Sequence, residues 1–230
     1  FALQGREEDY GSVDIPPEEL AGRLAGMLET VRGLNVTIPH KQAVIPCLRR
    51  LEGRAALYRS VNTIAVTPEG AVGYNTDADG FLCALKGAGV ALRGRAALLG
   101  CGGVGRTFAC EAALAGCAVV NAVRDADREA AAALKEYVLA LSPKTDYAIV
   151  SLDNLAAQGD FDLLINGTPV GMTPHPEGCP VGREVLSRTA AVFDAIYNPA
   201  RTRLLQLAEA EGARTLGGMP MLVWQAVQAH

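Results

Sequence analysis

A glycine-rich turn near the middle of the chain constrains the fold more than any other feature of the sequence. Residues 100–105 read Gly-Cys-Gly-Gly-Val-Gly and match the pattern G-x-G-x-x-G. The apolar run 96–99 before the turn predicts a strand, and residues 106–115 predict a helix after it. In this context the first glycine permits a tight turn, the second lets phosphate oxygens approach the backbone, and the amides at the helix N-terminus hold negative charge. The pattern predicts a nucleotide-binding loop, although a turn that only joins a strand to a helix would show the same glycines.

Strand-like and helix-like segments alternate along the whole chain, which is typical of an α/β protein with parallel strands. After the glycine turn, the predicted strands are 118–123, 147–152, 162–165 and 191–194, and the predicted helices are 128–141 and 202–210. Before it, the predicted elements are a strand at 10–15, a helix at 16–31, a strand at 34–38, a helix beginning at Pro39, and a hairpin of strands 61–66 and 71–74. The alternation of strands and helices in the second half therefore predicts a doubly wound, Rossmann-like domain. A last helix at 220–229 places Leu222, Gln225 and Ala229 on one face, and we expect it to pack back on the first half.

The composition narrows the class of protein. Half of the 230 residues are hydrophobic and 20% are charged, but no apolar run approaches the roughly 20 residues of a membrane helix. The formal net charge of -4 argues against a nucleic-acid partner. The six cysteines have no C-x-x-C spacing, so we expect reduced core residues rather than metal ligands or disulfides. We predict a soluble, cytoplasmic protein without a metal, a membrane partner or a nucleic-acid partner. Because it starts at Phe1 rather than at Met, we also expect the chain to begin partway into its gene product.

Two short segments carry an ionisable pair. Lys41 ends the segment Asn-Val-Thr-Ile-Pro-His-Lys, and Asp77 ends the segment Tyr-Asn-Thr-Asp. A nicotinamide delivers hydride but not the accompanying proton, and an ammonium group beside a carboxylate can protonate a developing alkoxide. The hydroxyl of Thr37 and the amide of Asn62 are suited to orienting a polyhydroxylated ring. Taken singly, these residues also have ordinary structural interpretations, such as a solvated lysine and a helix-capping aspartate.

The segment after the predicted strand 118–123 bears on the choice of dinucleotide. In an NAD-binding domain, an acidic residue that hydrogen-bonds the ribose 2′-hydroxyl is expected after this strand. The chain instead has Val123, Arg124 and Asp125, followed by Arg128. Arg124 can stack and pair with a 2′-phosphate, and Arg128 lies one helical turn further on. These arginines favour NADP over NAD. Asp125 works in the other direction, because its carboxylate would repel the phosphate or neutralise Arg128.

Six segments match one family in order over nearly the whole chain. They are NVTIPHK at 35–41, VNTI at 61–64, GYNTD at 73–77, the glycine turn, NGTPVGM at 166–172 and GMPMLVWQ at 218–225. Together they closely resemble the shikimate dehydrogenase family, which includes shikimate/quinate dehydrogenases. The resemblance implies an α/β protein with an N-terminal α/β substrate domain, residues 1–81 and 219–230, and a Rossmann-like NADP-binding domain, residues 82–218. It also implies a C-terminal helix that returns to the substrate domain.

The resemblance further implies an activity and a set of site residues. Members of the family reduce 3-dehydroshikimate to shikimate reversibly with NADPH, in the pathway to the aromatic amino acids. Lys41 and Asp77 match the catalytic pair. Positions that contact the substrate are matched by Thr37, Asn62, Tyr197 and Gln225. Positions that contact the cofactor are matched by Gly100, Cys101, Gly102, Gly103, Val104, Val123, Arg124, Asp125, Arg128, Ala195 and Gly218.

The chain departs from the family pattern in a few places. The opening strand and a loop with two serines, which hold the substrate carboxylate, have no counterpart, and neither does the helix that usually follows beyond His230. A truncated or partly observed chain is the expectation that explains both. Arg59 and Ser60 stand where the family usually has Gly-Ala, and Val123 replaces a polar residue.

Other functions remain open from the sequence. Asp125 suggests an NAD-accepting quinate/shikimate dehydrogenase, and the missing serine pair suggests a non-catalytic nucleotide-binding homologue. Another two-domain nicotinamide enzyme, such as a methylenetetrahydrofolate dehydrogenase, shares the broad architecture. The oligomeric state, monomer or homodimer, is also open.

Overall fold

The computed structural model describes residues 9–37 and 39–229, and two separate β-sheets organise that part of the chain. The smaller sheet has four strands, in the order β1 (Gly33–Asn35), β3 (Thr63–Thr67), β4 (Gly70–Tyr74) and β2 (Arg50–Leu51). The larger sheet has six strands, in the order β10 (Arg214–Leu216), β9 (Thr189–Asp194), β8 (Phe161–Asn166), β5 (Arg95–Leu99), β6 (Ala118–Val123) and β7 (Tyr147–Ser151). The α-helices are α1 (Leu20–Leu28), α2 (Gly53–Tyr58), α3 (Asp77–Gly87), α4 (Gly103–Leu114), α5 (Arg128–Leu141), α6 (Arg183–Leu186), α7 (Arg203–Ala210) and α8 (Met219–Gln228).

All neighbouring strands of the larger sheet run parallel. Successive side chains of β5 are buried on opposite faces, Ala96 and Leu98 against α3, α4 and α5, and Ala97 and Leu99 against α6 and α7. Burial on both faces explains why this strand is apolar throughout rather than alternating. The strand order reverses between β5 and β8, which is where ligands bind in a doubly wound sheet. The predicted α/β class and Rossmann-like second half are confirmed.

The predicted hairpin in the first half is also confirmed, with β3 and β4 antiparallel. Its turn is closed by a hydrogen bond of 2.8 Å from the Thr67 hydroxyl to the carbonyl of Gly70, which has a φ of 122°. The strand β1 pairs antiparallel with β3, and β2 pairs parallel with β4. The predicted strand 34–38 is observed as the shorter strand Gly33–Asn35. Ile38 lies outside the described residues, and so do residues 1–8 and His230 of the predicted substrate domain.

Three predictions for the first half were wrong in extent or in kind. The predicted strand 10–15 is irregular: its backbone pairs with none of the strands in the described part of the chain, and Tyr10 and Val13 are 69% and 54% exposed. The predicted helix 16–31 is a 3-10 turn at Pro17–Glu19 followed by α1, which ends at Leu28. The predicted helix beginning at Pro39 is a series of turns leading to a 3-10 helix at Ile45–Cys47. In these turns the carbonyl of Lys41 accepts from the amide of Val61 at 2.7 Å instead of from an amide one helical turn ahead.

The last helix returns to the first half, as predicted, and packs closely on α3. Gly80 permits this approach, because a Cβ atom at that position would lie 2.6 Å from the carbonyl oxygen of Met221 on α8. Leu222 and Gln225 are half-buried on the inner side, whereas Val223 and Val227 are exposed. The division of the chain into domains stays a prediction, and its boundary after residue 81 falls inside α3.

None of the helices in the described part of the chain has the length and apolarity that a membrane crossing requires. Of the six free cysteines, Cys110 and Cys117 are buried and the other four are half-buried. The residues from 9 to 229 that the structure describes contain no group of His, Cys, Asp or Glu side chains able to hold a metal ion.

Candidate active site

Lys41 and Asp77 form an ion pair at the edge of the smaller sheet. The Lys41 ammonium donates to Asp77 Oδ2 at 2.7 Å, and the two side chains are 16% and 8% exposed. Asp77 is the first residue of α3, where free backbone amides favour a carboxylate. Its own amide donates to the Asn75 side chain at 3.0 Å, which fixes the turn between β4 and the helix. The structure thus brings together the two residues expected to transfer the proton.

Asn62 is the centre of a buried polar network around this pair. Its side-chain NH2 group donates to Asp77 Oδ1 at 3.0 Å and to the Thr76 hydroxyl at 3.0 Å. A longer contact of 3.4 Å joins the same group to the side-chain oxygen Oε1 of Gln225. The side-chain oxygen of Asn62 accepts from the Thr76 amide at 2.9 Å. The Thr76 hydroxyl in turn donates to the backbone carbonyl of Gln225 at 2.9 Å. Asn62 therefore holds the Asp77 carboxylate in place and connects it to α8.

The glycine turn has the geometry of an anion-binding loop. Gly100 has a φ of 88°, and a Cβ atom on it would lie 2.9 Å from Thr168 Cγ2, so a side chain is excluded on two grounds. Gly102 precedes α4 without a side-chain cap, and a Cβ atom on it would meet nothing within 4 Å. The first amides of α4 are therefore left for another acceptor. These residues fit the diphosphate of a dinucleotide.

The glycine turn and the ion pair face the same groove. A Cβ atom added to Gly103 would lie 3.9 Å from Cδ of Lys41. The lysine side chain therefore runs past the N-terminus of α4 to reach Asp77. A ligand held by the first turn of α4 and a second ligand beside Lys41 would lie next to each other.

A second buried network supports the neighbouring strand ends. The fully buried Asp194 accepts from the Asn166 side chain at 3.0 Å, the Ile196 amide at 3.1 Å and the Thr202 hydroxyl at 2.6 Å. Burial raises the pKa of Asp194, while these three donors act against that rise. Asn166 also accepts from the amide and hydroxyl of Thr168, the residue packed on Gly100. Sequence reasoning did not single out Asp194, although a carboxylate ending an apolar parallel strand was the available signal.

Both arginines at the predicted cofactor site are paired with aspartates. Arg124 Nε donates to Asp127 Oδ2 at 2.7 Å, and Arg128 Nε donates to Asp125 Oδ1 at 2.9 Å. The Arg128–Asp125 pair is the neutralisation that the sequence raised as an alternative. The Arg124–Asp127 pair was missed, although its spacing of three residues at a helix start was visible in the sequence.

The other predicted site residues differ in how far they are buried. Thr37 is exposed, and its carbonyl accepts from the His40 amide at 2.9 Å in the turn that carries Lys41. Tyr197 is 49% exposed, beyond the end of β9. Ala195 lies against Gly218, where a Cβ atom would come within 2.2 Å of the Ala195 carbonyl oxygen. Val123 is buried at the end of β6. Cys101 and Val104, which belong to the glycine turn, are half-buried. Burial raises the pKa of the Cys101 thiol, so the group stays neutral.

The sequence and the fold are similar to those of known proteins. Residues 1–64 match the family model of the shikimate dehydrogenase substrate binding domain. Over 236 residues the chain is 36% identical to a shikimate dehydrogenase (NADP(+)) of Symbiobacterium thermophilum, covering 100% of this chain and 80% of that protein.

Two solved structures show the same architecture. Shikimate 5-dehydrogenase from Thermus thermophilus, in complex with NADP(H) and shikimate, has a TM-score of 0.85 and 34% sequence identity, with 99% of this chain and 82% of that one covered. Quinate dehydrogenase from Corynebacterium glutamicum, in complex with NAD, has a TM-score of 0.79 and 30% identity, with 91% and 75% covered.

Proposed function

This chain belongs to the shikimate dehydrogenase family, and we propose that it catalyses the reversible NADPH-dependent reduction of 3-dehydroshikimate to shikimate. The observation that carries the proposal is the placement of the Lys41–Asp77 pair against the first turn of α4. We assign the substrate to a unit formed by residues 1–81 and 219–230, and the dinucleotide to residues 82–218.

Lys41 is the proton donor in the direction of reduction. As the C3 carbonyl becomes an alkoxide, the Lys41 ammonium delivers a proton to that oxygen, and in the direction of oxidation the neutral amine takes it back. The Asp77 carboxylate accepts a hydrogen bond from the Lys41 ammonium at 2.7 Å and so fixes its position, since both side chains are largely buried. Asn62 keeps the carboxylate in that orientation through its bond to the other oxygen.

The ring hydroxyls of the substrate meet polar groups from three parts of the chain. Thr37 and Tyr197 are exposed residues that each carry a hydroxyl group, and Gln225 is half-buried on α8. Because Gln225 is tied to both Asn62 and Thr76, its position is coupled to that of the ion pair. Substrate hydroxyls bound here would place the carbonyl beside Lys41.

The dinucleotide fits the other wall of the groove. The first amides of α4, together with Gly100, Gly102 and Gly103, would hold the diphosphate. We assign Ala195 and Gly218, which lie against each other, to the dinucleotide site as well. When bound, NADPH supplies the hydride that the protein itself lacks. The described residues contribute orientation, exclusion of water and the proton.

An absorbance assay tests this proposal. The purified protein with NADPH and 3-dehydroshikimate should show loss of the NADPH band, and shikimate with NADP+ should regenerate it. Omission of 3-dehydroshikimate is the control for background oxidation. No turnover in either direction, with NADPH binding intact by fluorescence, would contradict the enzyme function and favour a non-catalytic nucleotide-binding homologue.

An NAD-accepting quinate/shikimate dehydrogenase is the second candidate, and the two arginine–aspartate pairs favour it. The same assay with NAD+ and quinate discriminates between them. A higher kcat/KM for quinate with NAD+ than for shikimate with NADP+ would replace the first proposal with the second.

A further inference from the structure

The segment from the end of β6 to the first residue of α5 contains two arginine–aspartate pairs, and it lies beside the glycine turn. Each arginine uses its Nε to bind an aspartate three residues away. The Arg124 side chain is 75% exposed and the Arg128 side chain 51%, so both are open to a ligand. Cys101 Sγ lies 3.8 Å from the carbonyl oxygen of Asp127, which places this segment beside the nucleotide loop.

We propose that Asp125 and Asp127 lower the preference of this protein for NADP over NAD by competing with the 2′-phosphate for Arg128 and Arg124. The inference rests on the proposed function, because it concerns the dinucleotide of that reaction. It assigns a role in dinucleotide specificity to Asp127, and it states that both aspartates shift the preference towards NAD.

The charges support an opposite effect of these carboxylates on the two dinucleotides. A 2′-phosphate carries close to two negative charges at neutral pH, so each aspartate near its site repels it. The 2′-hydroxyl of NAD carries no charge and can donate a hydrogen bond to a carboxylate. The Arg124 guanidinium keeps the pKa of Asp127 below its ordinary value, so this carboxylate stays charged at neutral pH.

The pairs weaken phosphate binding without abolishing it. The carboxylates occupy the Nε atoms, and among residues 9–37 and 39–229 neither guanidinium donates a side-chain hydrogen bond to a second acceptor. The Nη groups of both forks therefore remain available for phosphate oxygens. A 2′-phosphate binds to a site whose positive charge is already partly neutralised.

Isothermal titration calorimetry with NADP+ and NAD+ tests the inference without measuring turnover. The variants are D125N, D127N and the double variant, which keep the side-chain shape and remove the charge. The ratio of the NAD+ to the NADP+ dissociation constant should rise about three- to fivefold in each single variant and further in the double variant. The control is D160N, which removes a carboxylate that is as exposed as that of Asp125, 81% against 84%. Asp160 pairs with Arg188 at 2.8 Å and precedes β8, at the opposite end of the larger sheet. The ratio in D160N should equal that of the unmodified protein.

The outcomes separate this inference from the proposed function. An unchanged or lower ratio in the double variant, with NADP+ still binding, would overturn the role of the aspartates and leave the dehydrogenase function intact. A lower ratio would mean that the carboxylates hold the arginines in position for the phosphate. Absence of binding of either dinucleotide to the unmodified protein would overturn both the inference and the proposed function.

Discussion

Lys41 and Asp77 are separated by 36 positions in the chain, and their contact depends on two local backbone features. The carbonyl of Lys41 is bonded to Val61, which keeps the lysine in a turn beside the sheet. Asp77 is placed by the start of α3 and by Asn62. The motifs predicted that these residue types would work together, but the turn conformation around Lys41 depends on a partner from a distant strand end. Such a partner is not visible in local propensity.

We predict that K41A lowers kcat for 3-dehydroshikimate reduction by about 10²- to 10⁴-fold, because the proton donor is lost. The dissociation constant of NADPH should change little, since the interaction is made chiefly in the transition state. Steady-state kinetics and fluorescence titration measure the two effects. K86A, which removes an exposed lysine at the other end of α3, is the control and should be neutral. Unchanged turnover in K41A would reject the assigned role.

Asp194 provides a prediction on stability. D194A leaves three donors unpaired, those of Asn166, Ile196 and Thr202, and should lower the free energy of unfolding by about 2 to 3 kcal/mol. The melting midpoint should fall by about 5 to 10 °C. D194N should cost less, because its oxygen accepts from Asn166 and Ile196 and the Thr202 hydroxyl can accept from its amide. If differential scanning calorimetry finds the two variants equally unstable, the negative charge rather than the hydrogen bonding is the property that matters.

Most strands of the larger sheet were predictable, whereas several short elements of both halves of the chain were not. Strand β6 and helix α5 have the predicted bounds, because each is long, periodic and flanked by clear turns. The short elements β2, α2 and β10 were not predicted, since two- to six-residue segments carry almost no periodic signal and depend on pairing across the fold. The site shows the same difference. Its motifs and the local Arg124–Asp127 spacing were visible in the sequence, whereas the donors to Asp194, which come from β8 and from the segment after β9, become neighbours only in the fold.

The close packing of α3 on α8 yields a prediction at Gly80. In G80A the new methyl group would lie 2.6 Å from the backbone carbonyl oxygen of Met221 and 3.1 Å from the backbone nitrogen of Gln225, so α8 must move away. We expect a loss of about 1 to 3 kcal/mol in stability and a larger rise in KM for 3-dehydroshikimate than for NADPH. G87A in the same helix is the matched control, because nothing lies within 4 Å of its Cβ position. An equal rise in both KM values would show that α8 does not act through the substrate side of the groove.

Across the whole molecule, a charged cluster joins α2 to the helices beside it. Arg54 donates to Glu111 on α4 at 2.7 Å and to Asp79 on α3 at 2.6 Å. Glu111 also accepts from the hydroxyl of the buried Tyr58, and burial raises the pKa of that phenol above its ordinary value. A pair of aromatic rings, Phe81 and Phe108, with centroids 4.6 Å apart, lies among the core residues that connect α3 and α4. These contacts fix the helix that begins at Asp77 relative to the helix that begins at the glycine turn.

We predict that R54M lowers the free energy of unfolding by about 1 to 3 kcal/mol, because it leaves the Glu111 carboxylate, 8% exposed, without its cation. R50M, four residues earlier, breaks the exposed pair with Glu52 and should change stability by less than about 0.5 kcal/mol. Chemical denaturation of both variants measures the difference. Equal stability of R54M and R50M would show that the contacts of Arg54 with Glu111 on α4 and Asp79 on α3 do not stabilise the fold.

A crystal structure of the ternary complex with NADP+ and shikimate would show whether Lys41 reaches the hydroxyl that is oxidised. We predict that the shikimate hydroxyl that is oxidised lies within hydrogen-bonding distance of Lys41 Nζ, about 2.6 to 3.2 Å, with the dinucleotide diphosphate on the first turn of α4. A complex in which shikimate binds away from Lys41 and Asp77 would contradict the assignment of Lys41 as the proton donor. A complex in which the diphosphate lies away from the glycine turn would contradict the assignment of that turn as the diphosphate site.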